Sequence, residues 1–102
     1  MAENLDVTGE WVEVAEEGSD GVIVFYRQGP DIPPSRGGRR QLHLRYQGEA
    51  GAEAPGPTDR SESSGAGGWF RDGKTLHIRV PGWEGDYEIE DVQNTRLILR
   101  KR

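Results

Sequence analysis

The sequence predicts an all-β protein, a small up-and-down antiparallel β-barrel of about eight strands. Three observations carry this. Short runs of alternating apolar and polar residues recur along the whole chain, separated by Gly, Pro and Asp. No run shows the 3.6-residue period of an amphipathic helix. With 102 residues and only 32% hydrophobic side chains, the chain has one domain, 1–102, whose modest core must come from short strands. Closing such strands into a barrel removes the exposed edges that an open sheet would have to protect.

The elements follow in order. Leu5–Thr8 has room for a single turn before the first strand. Trp11-Val12-Glu13-Val14 alternates and stops at Glu17-Gly18-Ser19-Asp20-Gly21. Val22–Tyr26 is β-branched and aromatic, with high strand preference. Gln28–Gly38, with Pro30, Pro33 and Pro34 among glycines, is a long connection. Gln41–Tyr46 alternates cleanly, which puts Leu42, Leu44 and Tyr46 on one face and His43 and Arg45 on the other. Gly48–Pro55 reads equally as a weak edge strand or a loop. Gly56–Arg60 is a turn, and Ser61–Gly68, small and polar, reads as a mobile connection. A strand restarts at Gly68-Trp69-Phe70-Arg71. Asp72-Gly73 is a hairpin signal leading into Thr75–Val80. Pro81-Gly82 turns the chain into Asp86–Glu90, and Gln93-Asn94 turns it into Arg96–Arg100.

Charge and composition exclude several classes. The longest apolar run, Val22–Tyr26, falls far short of the ~20 residues a membrane helix needs, so no membrane association is expected. The acidic start, Met1–Asp6, has neither the basic nor the apolar region of a secretory leader, and the expected location is cytoplasmic. With no cysteine, disulfides, thiolate metal sites and cysteine nucleophiles are excluded together. Net charge is −5, which argues against a nucleic-acid partner. Acidic residues crowd 1–20, whereas Arg27, Arg36, Arg39, Arg40 and Arg45 follow, a pattern that predicts neutralisation within the molecule.

Several of these motifs together resemble a family. Gly9-Glu10-Trp11, Pro34-Ser35-Arg36-Gly37, Gly56–Arg60, Gly68-Trp69, the Leu76/Ile78 strand and a closing Leu97-Ile98-Leu99-Arg100 are similar to small bacterial lipocalin-like proteins. The resemblance spans most of the chain. It implies a calycin-type barrel, a group whose better-known members hold small hydrophobic molecules. It also implies that the Trp11 indole plugs one end of the barrel, with a guanidinium from the final strand on its face. At this size the interior is either filled by its own side chains or holds one small ligand.

Candidate ligand-binding residues are Tyr26, Trp69 and Tyr87, aromatics with a polar handle. The paired His43/Arg45 and His77/Arg79 join them. They are either a solvated outer face, with His77 and Arg79 meeting Glu88 and Glu90 across strands, or the lining of a polar pocket for an anion. Pro33–Arg40 reads as a Pro-rich turn over the barrel mouth or as an anion-binding nest. Thr58-Asp59-Arg60 reads as an Asx-type turn with a local ion pair rather than as a catalytic acid. No cofactor, metal site or catalytic residue is assigned. The leading function is binding of a small hydrophobic, amphipathic or anionic molecule by a monomer or homodimer. Two alternatives stay open: an interaction or self-association module using the weak 48–55 edge, and a small enzyme with His43 or His77 as base.

Overall fold

The alternating runs become strands. The computed structural model describes residues 7–29, 32–33, 38–55 and 61–102, and in them the chain forms β1 (Gly9–Glu13), β2 (Val22–Arg27), β3 (Gln41–Leu44), β4 (Glu49–Pro55), β5 (Ser61–Asp72), β6 (Thr75–Arg79), β7 (Gly85–Val92) and β8 (Arg96–Lys101). All eight neighbour pairs are antiparallel and the sheet closes on itself. The protein is an all-β, closed eight-stranded antiparallel barrel.

Going round it, the order is β1-β2-β8-β7-β6-β5-β4-β3. From β3 to β8 this is a meander. The β1–β2 hairpin is set in between, so that β1 pairs with β3 and β2 with β8, where a strict meander would pair β1 with β8. Since β2 and β3 both run opposite to β1, residues 28–40 carry the chain back from one end of the barrel to the other. The β3–β4, β5–β6 and β7–β8 connections lie at the end where β1 begins, the Gly9 end. The β6–β7 turn and the start of β3 lie at the Glu13 end.

The interior is packed. Trp11, Phe25, Leu42, Leu44, Leu76, Ile78, Leu97 and Leu99 are all at most 1% exposed, and Tyr87 and Trp83 join the same cluster. Room for these large side chains comes from small ones in the same rings. Leu42 faces Ala52, and Ala52 faces Gly65; Leu44 faces Ala50, and Ala50 faces Gly67. Segment 48–55, ambiguous in the sequence, is therefore a strand, and it is paired on both sides. Residues 50–53 have a ladder partner on each side. Ser61–Gly68, expected as a mobile connection, is the first part of the longest strand. Poor intrinsic strand preference is overridden there by ladder pairing with β4, joined by β6 from Gly68 onward.

Turn chemistry shows one shift. Pro81 and Gly82 (φ 88°) sit at the centre of a turn closed by Trp83 N–H on the Val80 carbonyl, as expected. The β5–β6 hairpin turns one residue later than Asp72-Gly73 suggests. Asp72 pairs with Thr75, and only Gly73 (φ 63°) of the two loop residues has positive φ. Thr58-Asp59-Arg60 and half of the proposed nest, residues 34–37, lie outside the described residues.

Candidate functional site

Each end of the barrel is closed by a tryptophan under an arginine. At the Gly9 end Trp11 is fully buried, its indole Nε1 donates to the Val7 carbonyl at 2.8 Å, and the Arg27 guanidinium lies 4.4 Å from its ring centre. The indole plug is as the resemblance implies, but its cation comes from the second strand and not the last. The reason is register: Trp11 and Arg27 are direct partners across β1–β2, whereas β8 is one strand further away. Gly9 completes the arrangement. A Cβ there would come within 2.1 Å of Arg27 Nη1, so the glycine of Gly9-Glu10-Trp11 is the slot in which the guanidinium lies. At the Glu13 end Arg40 lies 4.2 Å over Trp83, held by a two-pronged ion pair to Glu13 at 2.8 and 3.0 Å. Trp83 in turn packs on Phe25, ring centres 5.4 Å apart.

With the interior packed and both ends capped, two roomy concavities lie on the outside, at the Gly9 end. The 3-10 turn Tyr46–Gly48 joins β3 to β4 and stands up as a ridge, with Gln47 in the left-handed region at φ 68°. An open cleft of about 600 Å³ lies on one flank, lined by Thr8, Tyr46, Gln47, Gly48, Trp69, Phe70 and Arg71. A second, about 590 Å³, lies on the other, lined by Thr8, Gly9, Glu10, Arg27, Leu44, Arg45, Tyr46 and Gln47. The two share Thr8, Tyr46 and Gln47 and flank the same turn, and together they are the groove considered below. Its walls carry the two exposed large hydrophobic side chains among the described residues, Tyr46 (73% exposed) and Phe70 (58%).

The expected site residues do not converge. Trp69 is in the groove, partly buried, with its Nε1 donating to the Arg45 carbonyl at 2.8 Å. Arg45 is there too, on the opposite flank. Tyr87 is inside the barrel, where its hydroxyl donates to the Trp83 carbonyl at 2.7 Å and burial pushes its ionisation up. Tyr26 is on the outer face, donating to the Glu17 carboxylate at 2.8 Å; that carboxylate raises its ionisation.

The two histidines occupy the outer face, but neither as a freely solvated side chain. His43 is 3% exposed, with Nε2 2.8 Å from Glu53 and Nδ1 3.6 Å from Glu10. Its Nε2 ties β3 to β4, while Nδ1 is buried without a hydrogen-bond partner. His77 stacks on Phe70, ring centres 4.3 Å apart, and its Nδ1 lies 2.7 Å from Asp86, whose carboxyl is held low by that hydrogen bond. Arg79 reaches the same Asp86 at 3.8 Å. The partner of His77 and Arg79 is thus Asp86, the direct cross-strand neighbour of His77, where Glu88 and Glu90 were expected.

Sequence reasoning does not find Tyr46 or Arg27 as groove residues. Extending the Leu42/Leu44 alternation puts Tyr46 on the core face, but β3 ends at Leu44 and the following turn swings Tyr46 to solvent. Gly48 was the available signal of that turn. Phe70 follows from strand alternation once Trp69 is placed inward. The acidic start and basic segment neutralise one another as expected: Arg39 grips Glu16 at 2.6 and 2.8 Å, and Arg40 grips Glu13. No protein-family model matches the chain, and no curated protein or solved structure is significantly similar to it.

Proposed function

We propose that this protein is a lipocalin-like, calycin-type barrel that binds a small amphipathic molecule in the groove around Tyr46, outside the barrel. The observation that carries the reading is the coincidence of concavity and exposed aromatic surface. The groove is where Tyr46 and Phe70 stand uncovered, beside Trp69. Exposed aromatics in a concave setting offer flat apolar area with little conformational entropy to lose. The packed interior favours an external site over an enclosed one.

Of three tryptophans, Trp11 and Trp83 are buried and Trp69 alone lines the groove. Titration with a planar amphipathic naphthalene compound should quench tryptophan emission in the native chain. Trp69→Phe should abolish the quenching, while calorimetry still registers binding. Quenching that survives unchanged in Trp69→Phe, or none at high micromolar probe, would contradict the reading.

The same exposed pair, Tyr46 and Phe70, favours a second reading in which a protein partner lands on this end of the barrel. Its test is mass in solution at high concentration, native against Phe70→Ser. A concentration-dependent dimer lost in the variant supports it, and a monomer throughout removes self-association.

A further inference from the structure

We infer that the groove selects an aromatic anion, a planar ring bearing a carboxylate, and that Arg45 is the residue that takes its charge; this rests on the groove being the ligand site. The chain is acidic overall, with a net charge of −5, yet the groove runs the other way. Its walls carry Arg27, Arg45 and Arg71 against one carboxylate, Glu10. Outside the groove five of the six described arginines, Arg39, Arg40, Arg79, Arg96 and Arg100, have a carboxylate within 4.0 Å, and Arg102 bonds the Thr75 hydroxyl. Arg27 and Arg45 have no carboxylate partner among the described residues.

Those two differ in availability. The Arg27 guanidinium is committed to the Trp11 face and to the carbonyls of Asn94 and Thr8. Arg45 is anchored through its backbone: its N–H donates to the Glu49 carbonyl at 2.8 Å and its own carbonyl accepts from Trp69 Nε1. The fixed backbone leaves an exposed guanidinium on the cleft wall, immediately before Tyr46. A guanidinium fork matches a carboxylate in two-pronged geometry. Tyr46 lines both flanks, with Trp69 and Phe70 on one side of it and Arg45 on the other, so a ring against Tyr46 has apolar surface and a guanidinium beside it. Arg27, already in place, adds charge without moving.

The test compares 1-naphthoate with its neutral isostere 1-naphthalenemethanol, by calorimetry on the full chain at low ionic strength. Naphthoate should bind ~10-fold tighter, the size expected of one charge-assisted contact. In Arg45→Gln, confirmed folded by circular dichroism, that advantage should disappear while naphthalenemethanol binds as before; Arg45→Lys should keep part of it. Equal binding of the two compounds by the native chain overturns the inference and leaves the groove reading standing. So does an undiminished preference in Arg45→Gln. If neither compound binds, the groove reading falls first and the inference with it.

Discussion

Gly9, Trp11 and Arg27 act as one device, and their coupling is measurable. The guanidinium occupies the space a Gly9 side chain would need. Gly9→Ala must therefore displace Arg27 from the indole, at a cost of about 0.5–2 kcal/mol from the lost cation–π contact. Gly9 also has φ 143°, a strain that alanine meets in any background. In an Arg27→Ala background the steric part of the cost is gone, so Gly9→Ala should destabilise less there. Denaturant unfolding of the four chains checks this double-mutant cycle; equal costs in both backgrounds would break the link. Trp11→Ala, which empties the plug itself, should cost about 3–5 kcal/mol. The Gly-x-Trp spacing was legible because residues two apart on a strand share a face. Which arginine lies on the ring was not, because that depends on strand order.

At the scale of elements, β4 and β5 show where sequence preference fails to identify a strand. Glu-Ala-Gly-Ala-Glu-Ala-Pro and the Ser/Gly-rich opening of β5 hold almost no β-branched or aromatic residue before Trp69. Their strand character comes from being pinned between β3 and β6, and their smallness from the large side chains across the barrel. The glycines are not equivalent. A Cβ on Gly67 would meet the Arg79 carbonyl at 1.7 Å, whereas one on Gly51 meets only Gly65 at an ordinary 3.8 Å. Gly67→Ala should cost at least about 1–3 kcal/mol by overpacking, and Gly51→Ala should be neutral or slightly stabilising. Thermal unfolding of the two variants separates them; similar losses would contradict the assigned faces.

The β1–β2 connection makes a pH prediction. Arg39, with help from a backbone N–H, lowers the Glu16 carboxyl from its ordinary 4.5 to about 2. A carboxyl held low in the folded state stabilises above its ordinary value and stops doing so as the pH falls through its folded one. The Glu16–Arg39 contribution is complete above pH 4.5 and is lost between there and about pH 2. In urea titrations across that window Glu16→Gln should lose less stability with acid than the native chain, and the two should differ by a constant amount above it. An identical acid slope would show that this ion pair is not among the groups that set acid stability. That the acidic start would meet the following arginines was readable from charge order alone. The exact pairs, Glu16 with Arg39 and Glu13 with Arg40, required the register.

For the molecule as a whole, closure decides where function can lie. Alternating runs and turn residues were enough to read an eight-stranded antiparallel barrel, because each strand reports its own inner and outer face. They were not enough to place the β1–β2 hairpin between β3 and β8, since a long connection such as 28–40 permits either route. Nor could they reveal the groove, which exists only because three separate segments, around Thr8, Tyr46 and Trp69, meet at one end. Small side chains on β4 and β5 let Trp11, Phe25 and Tyr87 fill the inside, and two arginine-capped indoles shut the ends. Chemical-shift mapping of the isotope-labelled chain with 1-naphthoate tests this directly. Perturbations should cluster on Tyr46–Gly48, Trp69–Arg71 and the Arg45 guanidinium and leave Phe25, Leu76 and Leu99 unmoved; shifts concentrated on those three core residues would contradict the account.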